Sequence, residues 1–263
     1  MDGGKFDFIV TGAGSAGCAV AGRLSEDGRY SVLLLEAGPS DTYPWIHVPL
    51  GYHKTFNNPK VNWMFDSEPE PELNNRIMYQ PRGKVLGGTS SINGMVYMRG
   101  NAADYDEWRQ RGCEGWDYDS VLPYFKRAED NADFDGEYHG KGGPLSVNKL
   151  RTDNPVQETF LQAAQEAQFR LRDDFNGDEH EGLGVYQVTQ RNGERCSAAR
   201  AYVHPHMGTR PNLRVETFAH ATRILFEGSR EMPEAVGVEA LIGGQLTQLR
   251  ARREVILCGG AVN

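Results

Sequence analysis

Short apolar runs separated by glycine-rich turns set the pattern of the chain. Phe6-Asp7-Phe8-Ile9-Val10, β-branched and aromatic, predicts a buried strand, and Ser31-Val32-Leu33-Leu34-Leu35 predicts a second. Between them residues 18–25 are small and apolar and predict a helix, so the chain opens strand–helix–strand. Further strands are predicted at 183–190, which alternates, and at 213–217, 221–226, 235–241 and 253–258. Helices are predicted from residue 102, over 119–127 and over 195–202, and the aromatic residues of the first two are assigned to a core. Residues 154–169 predict another helix: Asn154 caps it, Pro155 opens its first turn, and Val156, Phe160, Leu161, Ala164 and Ala167 share a face. The long segment 37–82 has little periodicity, and a loop of that length usually covers something. Trp63 within it either lines a pocket or anchors the loop.

Chemistry enters at the turn after the first strand. Gly12-Ala13-Gly14-Ser15-Ala16-Gly17 lies between strand and helix. Gly12 permits the tight turn, Gly14 lets backbone approach a pyrophosphate, and Gly17 lets helix and strand pack closely. The helix N-terminus then offers N–H groups and a partial positive charge to phosphate. Glu36, with Ala37 beside it, closes the second strand and is placed to accept hydrogen bonds from a ribose. A carboxylate there repels a 2′-phosphate, which argues against NADP and leaves FAD and NAD both open.

A second glycine motif follows in 83–97, Gly83-Lys84-Val85-Leu86-Gly87-Gly88-Thr89-Ser90-Ser91-Ile92-Asn93-Gly94-Met95-Val96-Tyr97. It is too rich in Gly and Ser for a helix. Alone it is either a flexible connection or a place where bare backbone and small hydroxyls approach a phosphate or an aromatic ring.

Composition narrows the class. The chain has 263 residues, a formal charge of −8 and no basic cluster, so nucleic acid is not an expected partner. No apolar run is long enough for a membrane helix, and Met1-Asp2-Gly3-Gly4-Lys5 lacks the apolar segment of a signal peptide, so a cytoplasmic location is expected. Cys18, Cys113, Cys196 and Cys258 show no metal spacing and are expected as reduced thiols, with no metal site. Asp133, Asp135 and Glu137 lack the glycine and closing glutamate of a calcium loop.

The two glycine motifs together resemble those of the glucose–methanol–choline (GMC) oxidoreductases. The likeness is densest at Gly83-Lys84, Leu86, Gly87-Gly88-Thr89-Ser90, Ile92-Asn93, Tyr97, Gly100 and Asp106, and residues 57–63 and 195–199 are similar to the choline-dehydrogenase-like branch. The resemblance implies an α/β fold: an FAD-binding Rossmann-like domain with part of an α+β substrate domain. Residues 1–36 are then the first βαβ unit, 37–130 the loops and helices covering FAD, 131–200 a partial substrate domain, and 201–263 a return to the FAD-binding domain.

By the same resemblance Gly12, Gly14, Ser15, Ala16 and Gly17 hold the ADP half of FAD, and Glu36 and Ala37 its ribose. Val85, Gly87, Gly88, Thr89, Asn93, Gly94, Met95 and Val96 run along the pyrophosphate and isoalloxazine. Trp63 lines the site, and Ala221 sets backbone against adenine. Ile92 stands where some members carry a histidine bonded to FAD, which implies non-covalent FAD. Members of the family run to about twice this length, and their second signature begins where this chain has Gly260-Ala261. The resemblance therefore implies a catalytic His in a C-terminal half, an alcohol substrate, and oxygen or a quinone-type electron acceptor; the expectation is a split or nicked enzyme whose second polypeptide carries that half. Lyases of the same fold, and a non-catalytic nucleotide-binding module, are the alternatives.

Overall fold

The computed structural model describes residues 2–263. In chain order the principal elements are β1 (Asp2–Thr11), α1 (Ser15–Leu24), β2 (Val32–Leu35), α2 (Ala102–Gln110), α3 (Tyr118–Ala128), β3 (Glu129–Asn131), β4 (Leu145–Lys149), α4 (Pro155–Glu166), β5 (Gln187–Val188), α5 (Ala198–Tyr202), β6 (Leu213–Glu216), β7 (Ala219–Gly228), β8 (Pro233–Ile242) and β9 (Gln245–Leu257). They fall into two compact units. One comprises the chain up to Gly94 together with Arg195–Asn263, and the other is Met95–Glu194.

The first unit is built on a six-stranded sheet in the order β6-β2-β1-β9-β8-β7. The strands β6, β2, β1 and β9 are mutually parallel, and β9, β8 and β7 form an antiparallel meander. Successive residues of β1 and β2 face opposite sides. Val10, Val32 and Leu34 pack with Cys18 and Ala21 of α1 and with Ala198 and Ala199 of α5. Ile9, Leu33 and Leu35 pack on the other face with Val238, Ala240 and Leu249 of the meander. Burial on both faces is why these strands are continuous apolar runs. The strand β9 begins eight residues before the predicted 253. Its first half, Gln245-Leu246-Thr247-Gln248, carries little apolar signal, and it is held by antiparallel pairing with β8 instead. The 37–82 segment, without periodicity, forms short helices at Pro44–His47 and Tyr52–Phe56 and a small ladder between Phe65–Asp66 and Tyr79–Gln80.

The second unit has α2, α3 and α4 around a small sheet, β3-β4-β5. Two expectations fail here. The α2 and α3 aromatics are not core: Trp108 and Tyr124 are exposed, and Tyr105 instead makes ring contacts with Trp108, Tyr118 and Phe125 in a surface cluster. On α4 the predicted apolar face buries only Ala164, while Val156 is 72% and Phe160 61% exposed.

The predicted 183–190 strand reduces to β5 in this sheet. Two strands absent from the prediction, β3 and β4, bracket the acidic glycine-rich stretch. Their signal is missing because their interior is polar. Arg99 and Glu129 form a buried ion pair at 2.8 Å. Glu129 also accepts the Gly140 N–H and an amide hydrogen from Asn131, which in turn bonds Gln187. His139 sits between Glu129 (3.3 Å) and Asp174 (2.8 Å). Burial works against its charge, but the two carboxylates overcome it and lift its pKa to about 9.

Candidate cofactor site

The helix α1 begins without a side-chain cap at its N-cap residue Gly14 and without an acid in its first turn. The N–H groups of Ser15, Ala16 and Gly17 are thus at the mouth of a ten-residue helix with a positive dipole end. The turn that presents them is set by two glycines. Gly12 has φ +89°, and a Cβ there would lie 2.5 Å from the Cys258 carbonyl oxygen after β9; a Cβ on Gly17 would fall onto the Gly12 carbonyl.

The second glycine motif packs directly on the first. The Gly87 N–H donates to the Ala13 carbonyl at 2.8 Å. Gly88, at φ +55°, comes so close that a Cβ on it would be 2.6 Å from Gly14 Cα. The small hydroxyls hold the loop. Thr89 Oγ1 accepts the Gly83 N–H, Ser90 Oγ donates to the Gly87 carbonyl and accepts the Ala198 N–H, and Ser91 Oγ donates to the Leu86 carbonyl. Val85 is buried with Ile46, Val61 and Ile92 beneath the loop. Gly94, at its end, faces open space: no atom lies within 4 Å of where its Cβ would be.

Glu36 closes the arrangement from β2. It is 5% exposed, and its two carboxylate oxygens accept the N–H groups of Ala13 (3.1 Å) and Gly38 (2.8 Å). Burial outweighs these bonds and the attraction of Lys84 and raises its pKa to about 7. Half-buried Ala37 follows. The chain leading into β7 lies alongside, since Ala219 N–H donates to the Glu36 carbonyl and Phe218 N–H to the Gly38 carbonyl, both at 2.8 Å. Ala221, two residues on, is partly buried against the core and pairs with Ala240. Trp63 stacks on Phe65, meets the His220 ring edge-on and lies 4.5 Å beneath the Lys84 ammonium. Within this unit the structure therefore gathers Gly12 to Gly17, Glu36, Ala37, Trp63, Gly87, Gly88, Thr89 and Ala221 about the C-terminal ends of β1 and β2. Met95 and Val96 belong to the second unit, where the Met95 carbonyl accepts the Thr189 N–H and Val96 bridges Val188.

Sequence reasoning assigned no role to Arg195. It is 1% exposed. Its Nε donates to the Ile46 carbonyl (2.7 Å), and one terminal nitrogen donates to the Ser90 carbonyl (3.0 Å) and to Asn93 Oδ1 (2.8 Å). The other terminal nitrogen is buried with no partner among the described residues. The available signal was an arginine in a small, apolar stretch with no acid within a helical turn after it.

The donor set tests well against a dinucleotide. A pyrophosphate needs backbone N–H groups and a close approach free of Cβ atoms, and α1 with its two touching glycine loops offers both. The unpaired Arg195 nitrogen suits an anionic or acceptor-rich ligand. Residues 6–263 match the family model for GMC oxidoreductases. The chain is 46% identical to mitochondrial choline dehydrogenase of Mus musculus, over 98% of this chain and 44% of the relative. It is 48% identical to alcohol dehydrogenase [acceptor] of Pseudomonas putida, over 98% and 46%. The crystal structure of pyridoxine 4-oxidase from Mesorbium loti superposes with a TM-score of 0.90 at 30% identity, covering 97% of this chain and 49% of that one. An FAD-dependent oxidoreductase from Chaetomium thermophilum gives 0.87 at 30% identity, covering 97% and 45%. The chain thus spans about half the length of these relatives, and it belongs to the GMC oxidoreductase family, whose cofactor is FAD.

Proposed function

We propose that this chain is the cofactor-binding half of an FAD-dependent alcohol oxidoreductase. The observation that carries the reading is the backbone contact between the two glycine motifs, Gly87 on Ala13 and Gly88 on Gly14, at the open N-terminus of α1. When bound, FAD supplies the two-electron acceptor for hydride removed from an alcohol carbon. This chain binds and orients it and shapes one wall of the pocket. Ser15, Ala16 and Gly17 hold the pyrophosphate through their N–H groups. Glu36 accepts from the ribose beside Ala37, and the chain near Ala221 and Trp63 borders the adenine end. The loop from Val85 through Gly87, Gly88 and Thr89 to Asn93 and Gly94 follows the rest of the cofactor. Apolar Ile92 is buried under the loop and carries no nucleophile, which supports non-covalent attachment.

A second polypeptide supplies the remaining half with the catalytic His, and oxygen or a quinone takes the electrons. The 44–46% coverage of the relatives' length and the exposed Val156 and Phe160 on α4 support this part. A cytoplasmic setting is supported by four free thiols among the described residues. The test is anaerobic spectroscopy on the chain combined with the C-terminal half of a relative and FAD. Bleaching of bound flavin by choline or a primary alcohol is expected. Bound flavin that no alcohol bleaches, or no bound flavin, overturns the reading.

A further inference from the structure

Lys84 of the second glycine motif carries a charge with a fixed place. Two backbone bonds set where its side chain starts: the Lys84 N–H donates to the Val61 carbonyl and the Trp63 N–H donates to the Arg82 carbonyl, both at 2.9 Å. This short ladder brings Lys84 beside Trp63, and the ammonium rests 4.5 Å from the centre of the indole ring. The ring is itself held, stacked on Phe65 with 6° between planes and met edge-on by His220. A cation over an indole face is attracted by the ring's quadrupole, more strongly where water is partly excluded.

The same residue borders Glu36 through Gly38. The Gly38 N–H donates to Glu36 Oε1 at 2.8 Å, and the Lys84 carbonyl packs on Gly38 so closely that a Cβ there would overlap it. From α1 Glu36 faces Cys18, a thiol that burial pushes up and keeps neutral. On the strand entering beside it, His220 turns its ring onto Trp63. The positive charge that Glu36 feels is that of Lys84, and it acts against burial.

Resting on the proposal that Glu36 accepts hydrogen bonds from the cofactor's ribose, we infer that Lys84, seated on Trp63, is a positioning residue: its charge lets the buried Glu36 carboxyl ionise, and so governs the pH range over which the chain takes up FAD. Hydrogen bonds to an ionised carboxylate are about twice as strong as those between neutral groups. A protonated carboxyl also gives up part of its capacity to accept.

Two titrations test this. The first needs no cofactor. The pH dependence of urea unfolding in wild type, less that in Glu36→Gln, isolates the Glu36 transition; Lys84→Met and Lys84→Met/Glu36→Gln isolate it without the lysine. The transition should extend upward by about 0.5–1 pH unit in Lys84→Met and stay in place in Lys84→Arg, which keeps a cation on the indole. The second is flavin-fluorescence titration with FAD. Wild-type affinity should rise as pH passes about 7. At that pH Lys84→Met should bind about two- to fivefold more weakly, the drop in ionised fraction for such a shift, and the gap should close by about pH 9.

A Glu36 transition unmoved in Lys84→Met overturns the inference. So does a loss of affinity that is equal at every pH or persists in the Glu36→Gln background, because Lys84 would then act on the cofactor directly. Should Lys84→Met not fold, Lys84→Gln makes the same comparison. Wild-type chain that takes up FAD at no pH overturns the cofactor reading and this inference with it, whatever the first titration shows.

Discussion

Replacing Gly88 by alanine should force the two glycine loops apart. The new Cβ would lie 2.6 Å from Gly14 Cα. Carbon atoms prefer about 3.5–4.0 Å, so the loops must separate by about 1 Å. That displacement breaks the 2.8 Å bond from the Gly87 N–H to the Ala13 carbonyl. A lost hydrogen bond between buried groups costs about 1–2 kcal/mol. Holding a non-glycine residue at φ +55° adds about 1–2 kcal/mol. The total of about 2–4 kcal/mol corresponds to a fall in Tm of about 5–15 °C for a chain of this size. Gly94→Ala is the matched comparison, since its Cβ meets no atom within 4 Å. Its stability should stay within about 0.5 kcal/mol of wild type, while its affinity for FAD falls because the methyl occupies the space the loop leaves open. Circular-dichroism melting and flavin-fluorescence titration read both variants. Gly88→Ala melting with wild type would refute the loop contact, and Gly94→Ala binding FAD normally would refute the placement of cofactor at the loop's end.

Three further outcomes follow from buried ionisable groups. Glu36 has a folded pKa of about 7 against 4.5 for its unperturbed value. Its contribution is fully present below pH 4.5 and is lost as pH rises through 7, about 3 kcal/mol in all. Denaturant titrations of Glu36→Gln should lack this slope, and an unchanged slope would show that Glu36 is not its source. His139, lifted from 6.5 to about 9, stabilises the second unit fully below pH 6.5 and loses about 3 kcal/mol as pH rises through 9. Nitrogen NMR should show the imidazolium persisting beyond pH 8, whereas titration near 6.5 would contradict the carboxylate pairing. Arg99→Met strands Glu129 and should cost about 3–5 kcal/mol in urea unfolding; a loss under 1 kcal/mol would mean that Asn131, Gly140 and His139 suffice to hold the carboxylate.

The sequence is most legible where an element is specified locally. β1, α1 and β2 carry their own apolar runs, and Gly12 and Gly17 mark a turn that side chains would block. The contact between loops 74 residues apart was readable only as a resemblance, because nothing in either stretch encodes its partner. The hydroxyls of Thr89, Ser90 and Ser91 show the same limit: their chemistry was visible, and their use as internal braces was not. In the second unit the pattern misled in both directions. Helical spacing on α4 implied burial that Val156 and Phe160 do not have, and β3 and β4 carry a buried polar interior that periodicity reads as loop. Arg195 escaped because a lone arginine looks like surface until its acceptors, Ile46 and Ser90, are seen to come from two distant segments.

The most direct test of the two-loop cradle is amide hydrogen exchange on the chain with and without FAD. Slowed exchange is expected together in the first turn of α1, Ser15 to Gly17, and in the loop from Gly87 to Gly94, with little change in α4. Protection confined to one glycine motif, or absent from both while FAD is bound, would contradict it.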